Sequence, residues 1–203
     1  TGAFDIYKTT DVGATAWTTV LTSWTGQVRD VGLFYDRDEN SQIVVLTDKR
    51  LYWLDQTNSV LVSLLDLPFS GRASTQVDDK LMIVMDGFNV ILYSAGGAVE
   101  NVSPKFNFAT GTRFSLDTGS HACIADSISG PYVFFSGDTV NSDDFAYILQ
   151  YTSKDGEWGW DYKWHTASAN RGHAARFIYV DPASGDLIGA INQTSGNADL
   201  STG

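Results

Sequence analysis

Four segments of this 203-residue chain share one pattern: a strand-like run reaches a tyrosine, a polar turn follows, and a second strand-like run begins. The tyrosines are Tyr7, Tyr52, Tyr93 and Tyr151, with spacings of 45, 41 and 58 residues. Repeated units of about 40–50 residues that each hold about four strands are typical of ring-like stacks of small antiparallel sheets. This repeat restricts the chain to few folds.

The apolar segments are short and rich in β-branched and aromatic residues, and turns of Gly, Asn, Asp and Ser separate them. Examples are residues 81–85, 90–93 and 132–135. No stretch keeps the i, i+3, i+4, i+7 spacing of an amphipathic helix through about 11 residues. The sequence therefore predicts an all-β chain that folds as one domain over residues 1–203.

The two ends of the chain complement each other. Residues 174–192 have the pattern of the first half of a unit, and residues 5–21 have that of the second half. Pairing these halves would close a ring and remove exposed strand edges. We therefore predict a small β-propeller of four blades, or five if residues 104–130 form their own. The alternatives are a β-sandwich or part of a larger propeller.

Two motifs resemble known propeller motifs. Residues 9–17 resemble the Asp-box of sialidase-like and sortilin-like propellers, Ser/Thr-x-Asp-x-Gly-x-Thr-Trp, with Ala16 as an extra residue. Residues 153–160 resemble a degenerate second copy in which Glu157 replaces the glycine. The resemblance implies a structural role, in which the Asp binds turn N–H groups and the Trp packs under the hairpin. It implies a blade fold and no activity.

Residues 78–89, followed by Tyr93 and Gly96-Gly97, are similar to propeller blades of phage tail nozzle and adhesin proteins. This resemblance implies a virion component that contacts other virion subunits or a receptor. The expected location is the virion, with an extracellular location as the alternative. The expected partners are proteins, and self-association into a homo-oligomer is a further option.

The charge of the chain excludes several classes of partner. It has 13 basic and 24 acidic residues, so the net charge is 13 minus 24, or −11. Nucleic-acid binding and polybasic membrane anchoring both need a basic surface. No run of about 18 apolar residues predicts a membrane span. The single cysteine, Cys123, excludes an internal disulfide, and its apolar neighbours favour a buried thiol.

Catalytic motifs are missing from the sequence. The resembled sialidases need an arginine triad, but no motif assigns any of the seven arginines to it. The three histidines form no metal-ligand pair. Neither a Gly-x-Ser-x-Gly elbow nor a phosphate loop occurs. We therefore predict a non-enzymatic chain, with a glycoside-active enzyme as an alternative.

The best metal candidate is the loop that holds Asp36, Asp38 and Asn40. Three oxygen ligands at alternate positions of a tight loop suit Ca²⁺. Ser41 stands where an EF-hand loop has glycine, and no glutamate follows at the twelfth position. These departures favour a charged hairpin tip, and the calcium site is the competing hypothesis.

Trp158, Trp160, Tyr162 and Trp164 occupy every second position. A strand would place them on one face. If exposed, they would form a stacking platform for sugar rings or an anchor for a protein partner. If buried, they would pack against a neighbouring blade.

We predict a structural or binding propeller of a phage tail or virion, and the alternative is a secreted, lectin-like carbohydrate-binding propeller.

Overall fold

Strands build almost all of the described structure. The computed structural model describes residues 3–8, 17–25, 27–36, 38, 40–105, 114–115, 121–139, 143–169 and 173–193. A short 3-10 helix spans Asp86–Phe88. The strands are β1 Ala3–Lys8, β2 Thr18–Thr25, β3 Val28–Tyr35, β4 Ser41–Thr47, β5 Arg50–Asp55, β6 Val60–Asp66, β7 Gly71–Val77, β8 Lys80–Met85, β9 Asn89–Ser94, β10 Val99–Asn101, β11 Phe114–Ser115, β12 His121–Ala125, β13 Tyr132–Thr139, β14 Asp143–Lys154, β15 Glu157–Ala169, β16 His173–Val180 and β17 Leu187–Gln193.

The strands form three antiparallel meander sheets and two hairpins within the described residues. The first sheet is β3-β4-β5-β6, and the second is β7-β8-β9-β10. The third is β12-β13-β14-β15, with β11 paired to the far end of β13. β1 pairs with β2 in the N-terminal hairpin, and β16 pairs with β17 in the C-terminal hairpin. The prediction of an all-β chain with four-stranded, propeller-type sheets is confirmed.

The tyrosine repeat marks the third strand of each sheet. Tyr52 lies in β5, Tyr93 in β9 and Tyr151 in β14. Tyr7 lies in β1, which would be a third strand if the two hairpins joined. Among the described residues, each hairpin strand pairs only with its own partner. The predicted ring closure by the chain ends is therefore not confirmed.

The second sheet is buried on both faces. Met82 and Val84 of β8 pack towards the third sheet, whereas Leu81, Ile83 and Met85 pack towards the first sheet. None of these five side chains is more than 1% exposed. A strand covered on both sides has no solvent face, which explains why the run is apolar at every position. A two-layer sandwich would cover only one face of this sheet.

A third core cluster joins the third sheet to the C-terminal hairpin. It contains Ala125, Phe134 and Ile178, and Cys123 packs against it. Burial raises the pKa of the Cys123 thiol to about 12. The thiol is thus a partly buried apolar group, as its sequence setting indicates. The sheets therefore follow one another in chain order, from the first sheet to the C-terminal hairpin.

Side-chain hydrogen bonds join the first strands of the first two sheets. Asp30 in β3 accepts bonds from the N–H and the hydroxyl of Ser74 in β7, at 2.8 and 2.9 Å. Gln76 in β7 accepts a bond from the Tyr35 N–H and donates one to the Tyr35 carbonyl, both at 3.0 Å. Because both pairs follow the same chain order, β3 and β7 run parallel. Inner strands of propeller blades have this orientation.

The same orientation extends to the third sheet. Ala73 and Cys123 line one cavity of about 340 Å³. Further along both strands, Thr75 donates a hydrogen bond to Asp126. Asp78 and Asp79 of the β7–β8 turn line one cavity with Glu157 and Trp158 beside the β14–β15 turn, so β12 runs parallel to β7. In parallel meanders, the turns that join first to second and third to fourth strands lie at the same end, which we call the turn end.

Some sequence predictions concern segments that are described only in part. Residues 9–16 of the first Asp-box lie outside the described residues, and Trp17, which the motif would pack under its hairpin, is 60% exposed. The described part of residues 104–130 supplies β11 and β12 to the third sheet, so it does not form a fifth blade. None of the described segments is a helix long and apolar enough to cross a lipid bilayer.

Candidate functional site

A groove of about 370 Å³ lies between the second and third sheets at the turn end. Its floor is formed by Val77 and Leu92, which are 3% and 4% exposed. The β14–β15 hairpin forms one wall, where Tyr151 and Trp158 line the groove. The β7–β8 turn and β10 form the opposite wall. We call this site the aromatic groove.

The wall formed by β14 and β15 takes its shape from a tight turn. Asp155 and Gly156 join the two strands and have φ angles of 54° and 84°. An Asp-Gly pair with positive φ at both positions is typical of a type I′ hairpin turn. The register then places Ser153 opposite Trp158. This short turn keeps Trp158 close to the turn end.

An exposed indole is held in place by a buried phenol. Trp158 stacks on Tyr151, with ring centroids 5.5 Å apart and planes 13° apart. Trp158 is 39% exposed, whereas Tyr151 is 4% exposed. Burial, and to a lesser extent the Glu100 carboxylate, raises the pKa of the Tyr151 hydroxyl. The stack limits the motion of Trp158, so the two rings line the groove in a fixed arrangement before any ligand arrives.

Carboxylates dominate the charge of the groove. Asp78 and Asp79 lie in the β7–β8 turn, Glu100 lies in β10 and Glu157 begins β15. The Lys80 Nζ atom lies 2.9 Å from a Glu100 carboxylate oxygen. One positive and four negative groups give the lining a formal charge of −3.

The β7–β8 turn holds its two aspartates in a defined backbone conformation. Asp78 has a φ of 55°, in the left-handed region that Asp tolerates better than most residues. The Gln76 side-chain amide donates a hydrogen bond of 2.6 Å to the Asp78 carbonyl. Gln76 also bonds to Tyr35, so the turn is tied to the first sheet.

The four predicted aromatic residues do not form one exposed stripe. Trp160 is half-buried and packs against the core between the second and third sheets. Its ring centroid lies 4.9 Å from that of Tyr151 and 6.3 Å from that of Phe135. Its indole N–H donates a hydrogen bond to the Val102 carbonyl. Trp160 therefore packs against the neighbouring sheet, as the interpretation of a buried aromatic face predicts.

Of the other two residues of the set, Tyr162 and Trp164, only Tyr162 has a described side chain. Tyr162 is 52% exposed, and its hydroxyl donates a hydrogen bond of 2.7 Å to the Lys105 carbonyl. A register shift in the β14–β15 pairing falls between Tyr162 and Trp164, so the simple alternation ends there. The side chain of Trp164 lies outside the described residues. The stacking role of the set stays a prediction, with Trp158 as its best-placed member.

Asp36, Asp38 and Asn40 lie in the β3–β4 turn, where the Asp36 carboxylate binds the chain itself. Its Oδ1 accepts bonds from the N–H groups of Asp38 and Asn40 at 3.0 and 2.8 Å. The Asn40 side-chain amide donates to both carboxylate oxygens, at 3.2 and 3.1 Å. These bonds, with the Asn40 N–H first, lower the pKa of Asp36. Among the described residues, no group of three or more His, Cys, Asp or Glu side chains is placed to hold a metal ion. The calcium site stays a prediction.

Aspartate-anchored turns recur elsewhere, which sequence reasoning missed. Asp55 accepts bonds from the N–H groups of Thr57 and Asn58 at 2.9 and 3.2 Å. Asp181 accepts a bond of 3.0 Å from the Ala183 N–H. An Asp at the end of a strand that is followed by a polar turn was the available signal. The recurrence indicates that Asp36 stabilises its own turn.

No family model and no curated protein matches the chain. Solved structures that are similar to it include the following two. One is from an S. cerevisiae complex of a Dbp5 variant bound to Nup159, Gle1, IP6 and ADP, with 12% identity, a TM-score of 0.49, and coverage of 84% of this chain and 41% of that chain. The other is the N-terminal domain of Nup159, with 11% identity, a TM-score of 0.44, and coverage of 85% and 41%.

The chain spans about two fifths of the length of both solved structures. The described sheets define the class: an all-β protein made of propeller-type meander sheets, with a groove between two of them.

Proposed function

We propose that this protein is a non-enzymatic binding module that recognises a protein partner through the aromatic groove. The observation that carries the proposal is the half-exposed Trp158, fixed by its stack on Tyr151 above an apolar floor. Tryptophan and tyrosine are enriched among the residues that dominate binding energy. A concave site with an apolar floor and a few convergent polar groups is the usual form of a binding site.

The chemistry of the groove supports binding over catalysis. Its described lining contains no Ser, Cys, Thr, His or Arg, so it offers neither a Ser-His or Cys-His pair nor the arginine triad of the resembled sialidases. Lys80 is paired with Glu100 at 2.9 Å. Asp78 and Asp79 are neighbours in a turn that is tied to the first sheet.

Site-specific crosslinking tests this proposal. A photo-crosslinking amino acid at position 157 lies in the groove, and the same amino acid at position 186 lies on the C-terminal hairpin. We expect a defined protein adduct from position 157 only, and we expect Trp158→Ala in the same chain to abolish it. Equal adducts at both positions, or adducts that persist without Trp158, would contradict the proposal. Turnover of any substrate in a glycoside panel would contradict its non-enzymatic part.

The proposal extends to a place in a phage tail or virion, where the partner is a virion subunit or a receptor. The similarity of residues 78–89 to tail nozzle and adhesin blades supports this extension. That segment contains the β7–β8 turn and all of β8, next to the aromatic groove. Immunogold electron microscopy of purified particles is the test. Particles without label would remove the virion assignment and leave the binding module intact.

Carbohydrate binding is a second candidate, favoured by the same exposed indole. The face of Trp158 suits stacking against a sugar ring, and the carboxylates of Asp79 and Glu157 can accept hydrogen bonds from sugar hydroxyls. A secreted, lectin-like module would use the groove in this way. A glycan array decides the matter, because binding that is lost in Trp158→Ala but kept in Tyr179→Ala supports this candidate. An array without binding removes it.

A further inference from the structure

We infer that the occupant of the aromatic groove is an arginine side chain on an exposed basic segment of a protein partner. The inference rests on the proposed function and specifies the chemistry of that partner. It follows from the charge, the shape and the size of the groove.

Charge at the turn end favours a cation. Carboxylates occupy turns of all three sheets at this end. They include Asp36, Asp38, Asp55, Asp78, Asp79, Asp126 and Asp155, and they outnumber the two lysines described next to these turns, Lys80 and Lys154. The opposite end mixes both signs, as in the β4–β5 turn with Asp48 beside Lys49. The turn end therefore attracts a basic surface and repels an acidic one.

The shape of the groove favours arginine over lysine. A guanidinium group is planar, stacks on an indole face, and donates hydrogen bonds in its own plane to carboxylates. Trp158 supplies the aromatic face, Glu157 precedes it in β15, and Asp79 lies on the opposite wall. The apolar floor of Val77 and Leu92 accepts the methylene stem of the side chain. A lysine ammonium would gain the charge attraction but has no plane to stack.

The size of the groove determines how the partner presents this side chain. A volume of about 370 Å³ admits one or two side chains but no folded element. The partner must therefore offer an extended or loop segment. A single charged side chain that enters a flat aromatic site gives modest affinity, so binding should depend on salt.

A peptide titration with the whole chain tests the inference. The probe is a fluorescently labelled Gly/Ser peptide with three arginines, measured by anisotropy at about 150 mM salt. Its controls are the same peptide with citrulline, which is planar but neutral, and with lysine. We expect the arginine peptide to bind most tightly, the lysine peptide to bind more weakly, and the citrulline peptide not to bind. Added salt should weaken the binding of the arginine peptide.

Matched variants separate the groove from general acidity. Trp158→Ala should lower the affinity roughly tenfold, and Glu157→Gln should lower it by a smaller factor. Asp38→Asn removes one charge from the same end outside the groove, and Tyr179→Ala removes a half-exposed aromatic residue from the C-terminal hairpin. Both controls should stay within about twofold of the unaltered chain, because neither residue lines the groove. Circular dichroism confirms that each variant folds.

Each outcome decides one claim. Equal binding of the arginine and citrulline peptides overturns the inference, and so do equal losses from Glu157→Gln and Asp38→Asn. Binding of a neutral oligosaccharide without binding of the arginine peptide overturns it in favour of carbohydrate. The proposed function fails separately, when crosslinking from position 157 yields no adduct that depends on Trp158.

Discussion

The strongest test of the fold uses two neighbouring residues of β8. Met82 and Ile83 point to opposite faces of the second sheet, and both are 0% exposed. Met82→Ala and Ile83→Ala each remove side-chain atoms worth about 2.4 kcal/mol, at about 0.8 kcal/mol for each of roughly three methylene-sized groups. The cavity left behind raises the cost into the range of about 2–5 kcal/mol. Because both faces are covered, we expect two similar losses.

Urea unfolding, followed by circular dichroism, measures both losses. The control is Val60→Ala at the start of β6, where the side chain is 44% exposed. We expect the control to change the free energy of unfolding by at most about 0.5 kcal/mol. In thermal melts, each kcal/mol should lower Tm by about 2–4 °C for a chain of this size.

One result would refute the arrangement of the sheets. If only one face of β8 were buried, one of the two substitutions would cost no more than Val60→Ala. That outcome would place the second sheet at the surface of a two-layer structure. The stacking of the first, second and third sheets, and the aromatic groove between two of them, would then be wrong.

Three further predictions concern single residues. Gly130→Ala should cost more than about 3 kcal/mol or prevent folding, because a Cβ would lie 1.9 Å from the Tyr151 carbonyl oxygen, whereas Gly32→Ala, with no atom within 4 Å, should be tolerated. Iodoacetamide at about pH 8 should label Cys123 slowly in the folded chain and quickly in urea. With the thiol pKa raised from 9.0 to about 12, the unfolded chain loses this proton first, so stability should fall as pH rises above 9.0. Added Ca²⁺ should leave Tm unchanged because the Asp36 carboxylate already accepts hydrogen bonds from its own turn, and a rise in Tm would instead support the calcium hypothesis.

The repeat was readable from the sequence because it depends on local structure. Tyr52, Tyr93 and Tyr151 each lie in the third strand of a sheet, because a tyrosine followed by a polar turn reports a hairpin within one unit. The Asp155-Gly156 turn was equally local, since positive φ angles select these residue types. The closure of the ring was not readable in this way. It requires β1 or β2 to pair with β17, and these strands lie at opposite ends of the chain, so no local pattern reports the pairing.

The aromatic groove was not predictable because its walls come from different sheets. Val77 and Trp158 both line it, although they are 81 residues apart in sequence. Asp78 and Asp79 stand side by side in a polar turn, and nothing local in the sequence indicates that an indole lies across from them. Contacts between sheets depend on which faces meet. The alternation of side chains between the two faces of a strand does not specify which sheet packs against each face.

The difference in solvent exposure between Trp158 and Trp160 shows what determines exposure at this hairpin. The two residues lie two positions apart in β15, and both contact Tyr151, yet only Trp160 is covered. The Val102 carbonyl at the end of the second sheet accepts a hydrogen bond from Trp160. Near Trp158, the second sheet ends in a turn of two residues, since Val77 pairs directly with Lys80. A longer β7–β8 turn would fill the space, so the groove exists because this turn is short, and the length of the turn should control what the groove can admit.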